Sequence, residues 1–253
     1  MTSMSGGGGG GGAGGTLPTG VNQSWQESQG GTTNVWQPAT NEGLANLLIN
    51  TTSTGDAGNR ADHFLGSSLR AGWANQGTAF TGTSVKNSVF SMTKTSGVGY
   101  ELQPYTPTGA FRVEARMTLL AGPSGTSADF GLVVRDSTAG GDTGNQLWMI
   151  IGYANPTTLT VTFYTVAAGV VSSISNLWVG ATGDFSNGQP FYLAIEADGA
   201  GNCDGQFSIN RSMWIGSLVT TVPAGFTAAK MGFRHTGAVG TPVCSVDFID
   251  VVT

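Results

Sequence analysis

Residues 111–119 read FRVEARMTL, and this stretch decides the fold class. Apolar residues at 111, 113, 115 and 117 alternate with charged residues at 112, 114 and 116. A period of two is typical of a β-strand that buries one face and leaves the other face outside the core. We therefore predict that Val113 and Ala115 point inward, whereas Arg112 and Glu114 point outward.

Further runs of strand length follow this stretch, and clusters of Gly, Pro, Asn or Asp separate them. These runs are 130–134, 146–153, 159–166, 191–197, 206–209, 231–234 and 243–251. Many short strands with regular turn signals and few helix signals predict an all-β domain, a sandwich or a barrel. We assign this domain to residues 59–253, about 195 residues, which is enough to bury a single core.

The N-terminal part has a different composition. Seven consecutive glycines occur there: Gly6, Gly7, Gly8, Gly9, Gly10, Gly11 and Gly12. Polyglycine loses much backbone entropy when it becomes ordered. We therefore expect residues 1–20 to be an extended anchor packed into a larger assembly, with apolar contacts from Leu17, Val21 and Trp25. Residues 21–58 are a polar connector with one predicted helix at 42–49.

Charge and composition exclude several classes of protein. Charged residues make up 10% of the chain, against about 25% in an ordinary soluble domain. Fifteen acidic and ten basic residues give a net charge of −5, and without a basic stripe nucleic-acid binding is not expected. Residues 1–20 show no secretory signal, and no run of about 20 apolar residues predicts a membrane span. The chain has only two cysteines, Cys203 and Cys244, which are too few for a disulfide scaffold. The sequence does not show whether they are bonded to each other or free.

Several segments are similar to the strands of one known fold. The segment ADHFLGSSLRAGWANQG (61–77) is similar to its first strand and loop, and VCSVDFIDVVT (243–253) to the closing strand that pairs back near the start. FRVEARMTL, DFGLVVRDS and FYLAIEADG are similar to its central strands, and FSINRSMW to a strand followed by a turn. Residues 60–253 thus resemble the concanavalin-A-like jelly roll of lectins and glucanases. The resemblance implies a two-sheet antiparallel β-sandwich.

Glucan-cleaving members of that fold carry a Glu-x-Asp-x-x-Glu pattern on one strand, and this sequence lacks it. Asp247 and Asp250 are three residues apart, which places them on opposite faces of an ideal strand. Glu196 and Asp198 share a face, but at a strand end and turn. Retaining glycosidases need two nearby carboxyl groups, so we expect a protein that is not an enzyme.

Two groups of residues are candidates for binding glycan. The aromatic candidates are Trp148, Tyr153, Tyr164 and Trp178, and for each of them a place in the core is favoured over a ligand platform. The charged candidates are Arg112, Glu114 and Arg116. They either line a concave ligand surface or, as we favour, form a solvated ladder with Arg135 or Asp136.

A glycine loop holds three oxygen-bearing side chains: Asp198, Asn202 and Asp204. Calcium prefers oxygen ligands, but the position that would hold the closing glutamate of an EF-hand is Ile209. Because hairpin turns favour Asp, Asn and Gly for conformational reasons, we favour a turn over a calcium site. No other cofactor is expected.

Together, the glycine anchor, the polar connector and the jelly roll favour a virion structural protein of a tailed bacteriophage. We expect a tail or head fibre whose lectin-like domain binds host surface glycan. Its N-terminal segment would bind other virion proteins, as a homo-oligomer for which a trimer is favoured. One alternative is a capsid or tail decoration protein that contacts only virion proteins, and another is a secreted glycan-binding protein.

Overall fold

The computed structural model describes residues 62, 64, 68–69, 71–80, 82–86, 89–93, 96–121, 129–137, 142–155, 158–181, 189–237 and 243–252. All of them belong to one compact unit, Asp56–Thr253. The predicted glycine anchor, the connector and its helix at 42–49 lie outside the described residues. Within the described segments, no helix is long and apolar enough to cross a membrane.

The described residues form fifteen β-strands. They are β1 (Ala74–Gly77), β2 (Gly82–Lys86), β3 (Val89–Thr93), β4 (Gly97–Pro104), β5 (Phe111–Ala121), β6 (Asp129–Arg135), β7 (Gln146–Asn155), β8 (Thr158–Ala167), β9 (Val170–Ala181), β10 (Pro190–Ala197), β11 (Asn202–Ser208), β12 (Ile215–Gly216), β13 (Thr220–Thr221), β14 (Lys230–Gly237) and β15 (Val243–Val252).

These strands build two antiparallel sheets. The seven-stranded sheet has the order β1-β4-β14-β6-β7-β8-β9. The eight-stranded sheet has the order β12-β11-β10-β5-β15-β3-β2, and β13 also pairs with β11. The predicted all-β, two-sheet antiparallel sandwich is confirmed. Of the segments similar to central strands, β5 and β10 lie inside the eight-stranded sheet and β6 lies inside the seven-stranded one.

The core lies between the two sheets and is built from alternate residues of their strands. Val113 and Ala115 of β5 are fully buried there, which confirms their predicted inward direction. At one side of the core, the Trp73 ring stacks on Phe233 with ring centroids 5.7 Å apart. Asp62 accepts a hydrogen bond of 2.7 Å from the Trp73 indole nitrogen, so the polar edge of this partly buried ring is satisfied.

Strand β15 lies inside the eight-stranded sheet and contains an irregularity that makes one prediction wrong. It pairs with β5 and β3, and Ile249 bridges to Asp62. The register shifts between Val246 and Phe248, so Asp247 is an extra residue in the strand. Such a bulge breaks the strict alternation of faces. Asp250 therefore pairs opposite Glu114 while Asp247 binds Arg116 at 2.8 Å, and the prediction of opposite faces is wrong.

Candidate functional site

Strand β5 carries the three predicted charged candidates on its outer face, away from the core. Glu114 is nevertheless only 3% exposed. Its carboxylate lies 2.6 Å from Nε of Arg211 and 3.4 Å from Nε of Arg112. Arg135 and Asp136 are at the end of β6 in the other sheet. The predicted solvated ladder is therefore wrong, because Glu114 is buried and forms ion pairs with Arg112 of its own strand and with Arg211 of the segment after β11.

The segment 209–216, which follows β11, covers this part of the outer face. Arg211 adopts a left-handed backbone conformation with φ of 63°, and its carbonyl accepts a 3.1 Å hydrogen bond from the Trp214 indole nitrogen. The Trp214 ring in turn stacks over the Arg112 guanidinium at 4.4 Å. A second guanidinium nitrogen of Arg211 is 3.5 Å from Asp250. The ion pairs of Arg211 and the stacked Trp214 thus hold the segment against β5.

A polar network continues from Arg112 onto β10 and β11. Glu196 pairs in register with Arg112 on one side and with Asp204 on the other, and its carboxylate forms an ion pair with the Arg112 guanidinium. Arg112 also donates to the Gln206 side-chain oxygen at 2.8 Å. The Gln206 amide nitrogen donates to Glu196 at 3.0 Å and to Asp204 at 3.1 Å. Four side chains from three adjacent strands are therefore held in one network.

A cavity of about 450 Å³ opens beside this network, where β5 begins, β10 ends and β11 begins. We call it the end pocket. Its lining has a charged part formed by Arg112, Glu196 and Asp204, and an apolar part that includes Phe111, Cys203 and Val219. Asp198 and Asn202 lie at its turn. The pocket is thus both polar and apolar, and its charged side chains are fixed before any ligand arrives.

Burial acts on two titratable groups of the end pocket. It raises the pKa of Asp204, and the neighbouring Glu196 charge raises it further, although the hydrogen bond from Gln206 opposes the shift. Burial also raises the pKa of the Cys203 thiol to about 12. Cys203 and Cys244 are both free and buried, which answers the question that the sequence left open.

The predicted calcium candidates do not converge on one point. The Asp198 carboxylate accepts hydrogen bonds from the backbone nitrogens of Ala200 and Asn202, at 2.8 and 2.9 Å, and from the Asn202 amide at 2.6 Å. These bonds lower the pKa of Asp198, the bond from the Asn202 side chain most of all. Asp204 instead binds Gln206. Among the described residues, no group of three acidic, His or Cys side chains is arranged for a metal.

The aromatic candidates are divided between the two faces of the seven-stranded sheet. Trp178 pairs opposite the core residue Val161 and packs against the core. Trp148 and Tyr164 lie on the outer face as an edge-to-face pair, with centroids 6.2 Å apart. Trp148 is only 4% exposed, so it is not an open platform. Tyr153 belongs to β7, but its side chain lies outside what the structure describes.

Arginine side chains cover two aromatic residues of this outer face, Trp148 and Tyr100. Arg234 stacks over Trp148 at 4.4 Å, and Arg135 stacks over Tyr100 at 4.1 Å. Asp142 accepts hydrogen bonds from Arg234, at 3.2 and 3.3 Å, and from the Tyr100 hydroxyl. Burial alone would raise the pKa of Asp142, but the bonds and charge of Arg234 lower it overall. Because arginine side chains cover these aromatics, we place the candidate site in the end pocket instead.

No protein-family model and no curated protein sequence matches this chain. Solved structures do match. A GH43 protein from Bacillus licheniformis has a TM-score of 0.59 and 12% identity, over 81% of this chain and 41% of that one, which is less than half its length. A Bacillus licheniformis β-glucanase has a TM-score of 0.52 and 12% identity, over 78% of this chain and 98% of that one.

A third match comes from a bacteriophage. It is the CBM2 module of the evolved Dit protein of Lactobacillus casei BL23 phage J-1, with a TM-score of 0.52 and 10% identity. The match covers 78% of this chain and 98% of that module. At these identities the matches show the fold, which is the lectin and glucanase jelly roll that the sequence resembles.

The expectation that this protein is not an enzyme is contradicted by these matches. Two of the matched structures, the GH43 protein and the β-glucanase, belong to classes of glycoside hydrolase. The absence of the Glu-x-Asp-x-x-Glu pattern on one strand is therefore not sufficient to exclude an enzymatic function for a protein with this fold. The structure also places two carboxyl groups, Glu196 and Asp204, side by side on neighbouring strands.

The sequence prediction missed Asp204 as a partner of Glu196, and it missed Gln206 and Trp214 altogether. A signal for the first pair was present. The loop 198–201 is rich in Gly and begins with Asp, which favours a hairpin. A hairpin centred at residue 200 places 196 opposite 204. No comparable signal exists for Trp214, because its contact with Arg112 depends on how the segment 209–216 folds back over β5.

Proposed function

We propose that the β-sandwich is a carbohydrate-binding domain and that the end pocket holds the sugar. The observation that carries this proposal is the mixed lining of the cavity. A sugar ring presents apolar C–H faces and a rim of hydroxyl groups. Phe111 and Val219 offer apolar contacts, while Arg112 donates and Glu196 and Asp204 accept hydrogen bonds. The volume of about 450 Å³ lies within the usual range of about 300–1,000 Å³ for small-molecule sites.

Titration of the full chain with the oligosaccharide that a glycan array selects tests this proposal. Val219 lines the pocket and is 69% exposed, so Val219→Arg fills the entrance without disturbing the core. Its neighbour Leu218 is 72% exposed and does not line the pocket. We expect Val219→Arg to weaken binding at least 10-fold and Leu218→Arg to change it less than about 2-fold. Equal effects of the two variants contradict the proposal.

We further propose that the chain is a virion structural protein of a tailed bacteriophage, a tail or head fibre that attaches to host surface glycan. The similarity of its fold to the CBM2 module of a phage protein supports this location. In this proposal the glycine-rich segment 1–20 joins the protein to other virion proteins, and the chain acts as a homo-oligomer, with three copies favoured. Purified particles of the phage whose genome encodes the chain should contain the protein, as detected by mass spectrometry. Its absence from intact particles overturns the virion role.

A decoration protein that contacts only other virion proteins is the second candidate, and one surface favours it. Ile209, Met213, Leu218 and Val219 are all more than half exposed, and the first two belong to the segment 209–216 that is held against β5. An ordered apolar surface is typical of a protein contact. If Leu218→Arg removes the protein from particles and no array glycan binds, the decoration role replaces the attachment role.

A further inference from the structure

The end pocket holds two carboxyl groups on neighbouring strands. Glu196 of β10 and Asp204 of β11 are direct register partners, so their side chains leave the sheet side by side on one face. The Gln206 amide nitrogen lies 3.0 Å from an oxygen of Glu196 and 3.1 Å from an oxygen of Asp204. Those two oxygens are therefore no more than about 6 Å apart. This limit includes the roughly 5–5.5 Å of retaining glycosidases and falls short of the roughly 6.5–9.5 Å of inverting ones.

The two carboxyl groups have different surroundings. Glu196 forms an ion pair with Arg112. Asp204 has no such ion pair among the described contacts. Burial and the Glu196 charge raise its pKa, and they outweigh the opposing hydrogen bond from Gln206 and the Arg112 charge. Glycoside hydrolysis requires two carboxyl groups in different environments, and the ion pair of Glu196 and the raised pKa of Asp204 provide such a difference.

The pair is also held in place by its neighbours. Trp214 stacks on Arg112 at 4.4 Å, Arg112 binds Glu196, and Gln206 donates to both acids. None of these contacts depends on a ligand. The acids open into the cavity, whose apolar part provides space for a sugar ring. Fixed groups beside an open cavity are a precondition for catalysis by positioning.

We propose that the end pocket hydrolyses a glycosidic bond with retention of configuration, with Glu196 as nucleophile and Asp204 as acid and base. This inference rests on the proposed carbohydrate binding. In the first step a Glu196 oxygen bonds to the anomeric carbon, the bond to the leaving oxygen breaks, and the Asp204 proton passes to that oxygen. In the second step water attacks the anomeric carbon, its proton returns to Asp204, and the bond to Glu196 breaks. No metal or redox partner takes part in either step.

The test uses the full chain and a panel of dinitrophenyl glycosides of glucose, galactose, xylose and N-acetylglucosamine. We expect release of dinitrophenolate from at least one of them and a loss of at least about 100-fold with Glu196→Gln. A matched 2-fluoro glycoside should add one sugar mass to the Glu196 peptide. With Asp204→Asn, added azide should restore turnover and give a glycosyl azide of retained configuration, because azide needs no general base. Asp247→Asn, which alters a carboxylate that binds Arg116 instead, is the matched control and should keep full activity.

The outcomes separate this inference from the binding proposal. If an oligosaccharide binds, Val219→Arg blocks it, and yet no glycoside is cleaved and no adduct forms, then the hydrolysis inference falls and carbohydrate binding stands. Equal release by the wild type, Glu196→Gln and Asp204→Asn also overturns hydrolysis, because the activity then comes from elsewhere. If neither binding nor cleavage occurs, both proposals fall.

Discussion

Arg211→Ala is the substitution that most directly tests how the outer face of β5 is held together. It removes the closest ionic partner of Glu114, at 2.6 Å, and leaves Arg112 at 3.4 Å. Removing one partner of a fully buried pair costs about 3–5 kcal/mol, because the remaining charge is left without compensation. Since the Arg211 side chain is 37% exposed and Arg112 remains, we expect a smaller loss, about 2–3 kcal/mol. Alanine keeps the Cβ, so the backbone strain at φ of 63° is unchanged.

Urea unfolding at neutral pH measures this loss, and Arg116→Ala is the matched control. Arg116 pairs with Asp247 on the same face of the sheet, but both side chains are partly exposed, at 34% and 26%. Such a pair contributes about 0–1 kcal/mol. With a urea dependence of about 2–3 kcal/mol per molar, Arg211→Ala should lower the unfolding midpoint by about 1 M and Arg116→Ala by less than half of that. Equal midpoint shifts for the two variants would refute the claim that Glu114 depends on Arg211.

Three further predictions concern single positions near the candidate site. Gly205→Ala should unfold the domain at lower urea, since an added Cβ would lie 2.5 Å from the Phe163 ring in the core. Cys203 and Cys244 should resist a thiol reagent at pH 8 in the native protein and react after unfolding, because burial raises the pKa of both thiols. Asp204→Asn should stabilise the domain at pH 7, because a carboxyl group whose pKa is raised on folding gives its full stability only below its unfolded pKa and loses it as pH rises through the folded pKa. That advantage should shrink towards zero below about pH 4, near the ordinary pKa of Asp, and an advantage that persists there would contradict the electrostatic cause.

The sequence was informative wherever the two faces of a strand differ in polarity. In β5 the alternation of apolar and charged residues predicted the inward direction of Val113 and Ala115 correctly. The same reasoning failed where a bulge adds a residue. Strand β9 shifts register twice against β8, which interrupts its alternation, and no strand was predicted for 170–181. The bulge at Asp247 misled the prediction for β15 in the same way.

The candidate site was harder to predict because it joins residues from several strands. Alternation shows that Glu114 leaves the core side of β5, but it does not show that the segment 209–216 folds back and buries it. Because Glu114 was predicted to lie on the outer face of β5, it was also predicted to be exposed to solvent, which is wrong. Similarly, a place in the core was favoured for Trp148, but the structure puts it on the outer face under Arg234, a contact that depends on pairing between strands that are distant in sequence.

A crystal structure of the full chain with the array-selected oligosaccharide is the measurement that tests carbohydrate binding in the end pocket most directly. We predict that the sugar lies in the cavity, with its hydroxyl groups within hydrogen-bonding distance of Glu196 and Asp204. Density for the sugar on the outer face of the seven-stranded sheet, beside Trp148 and Tyr164, would contradict the assignment of the site.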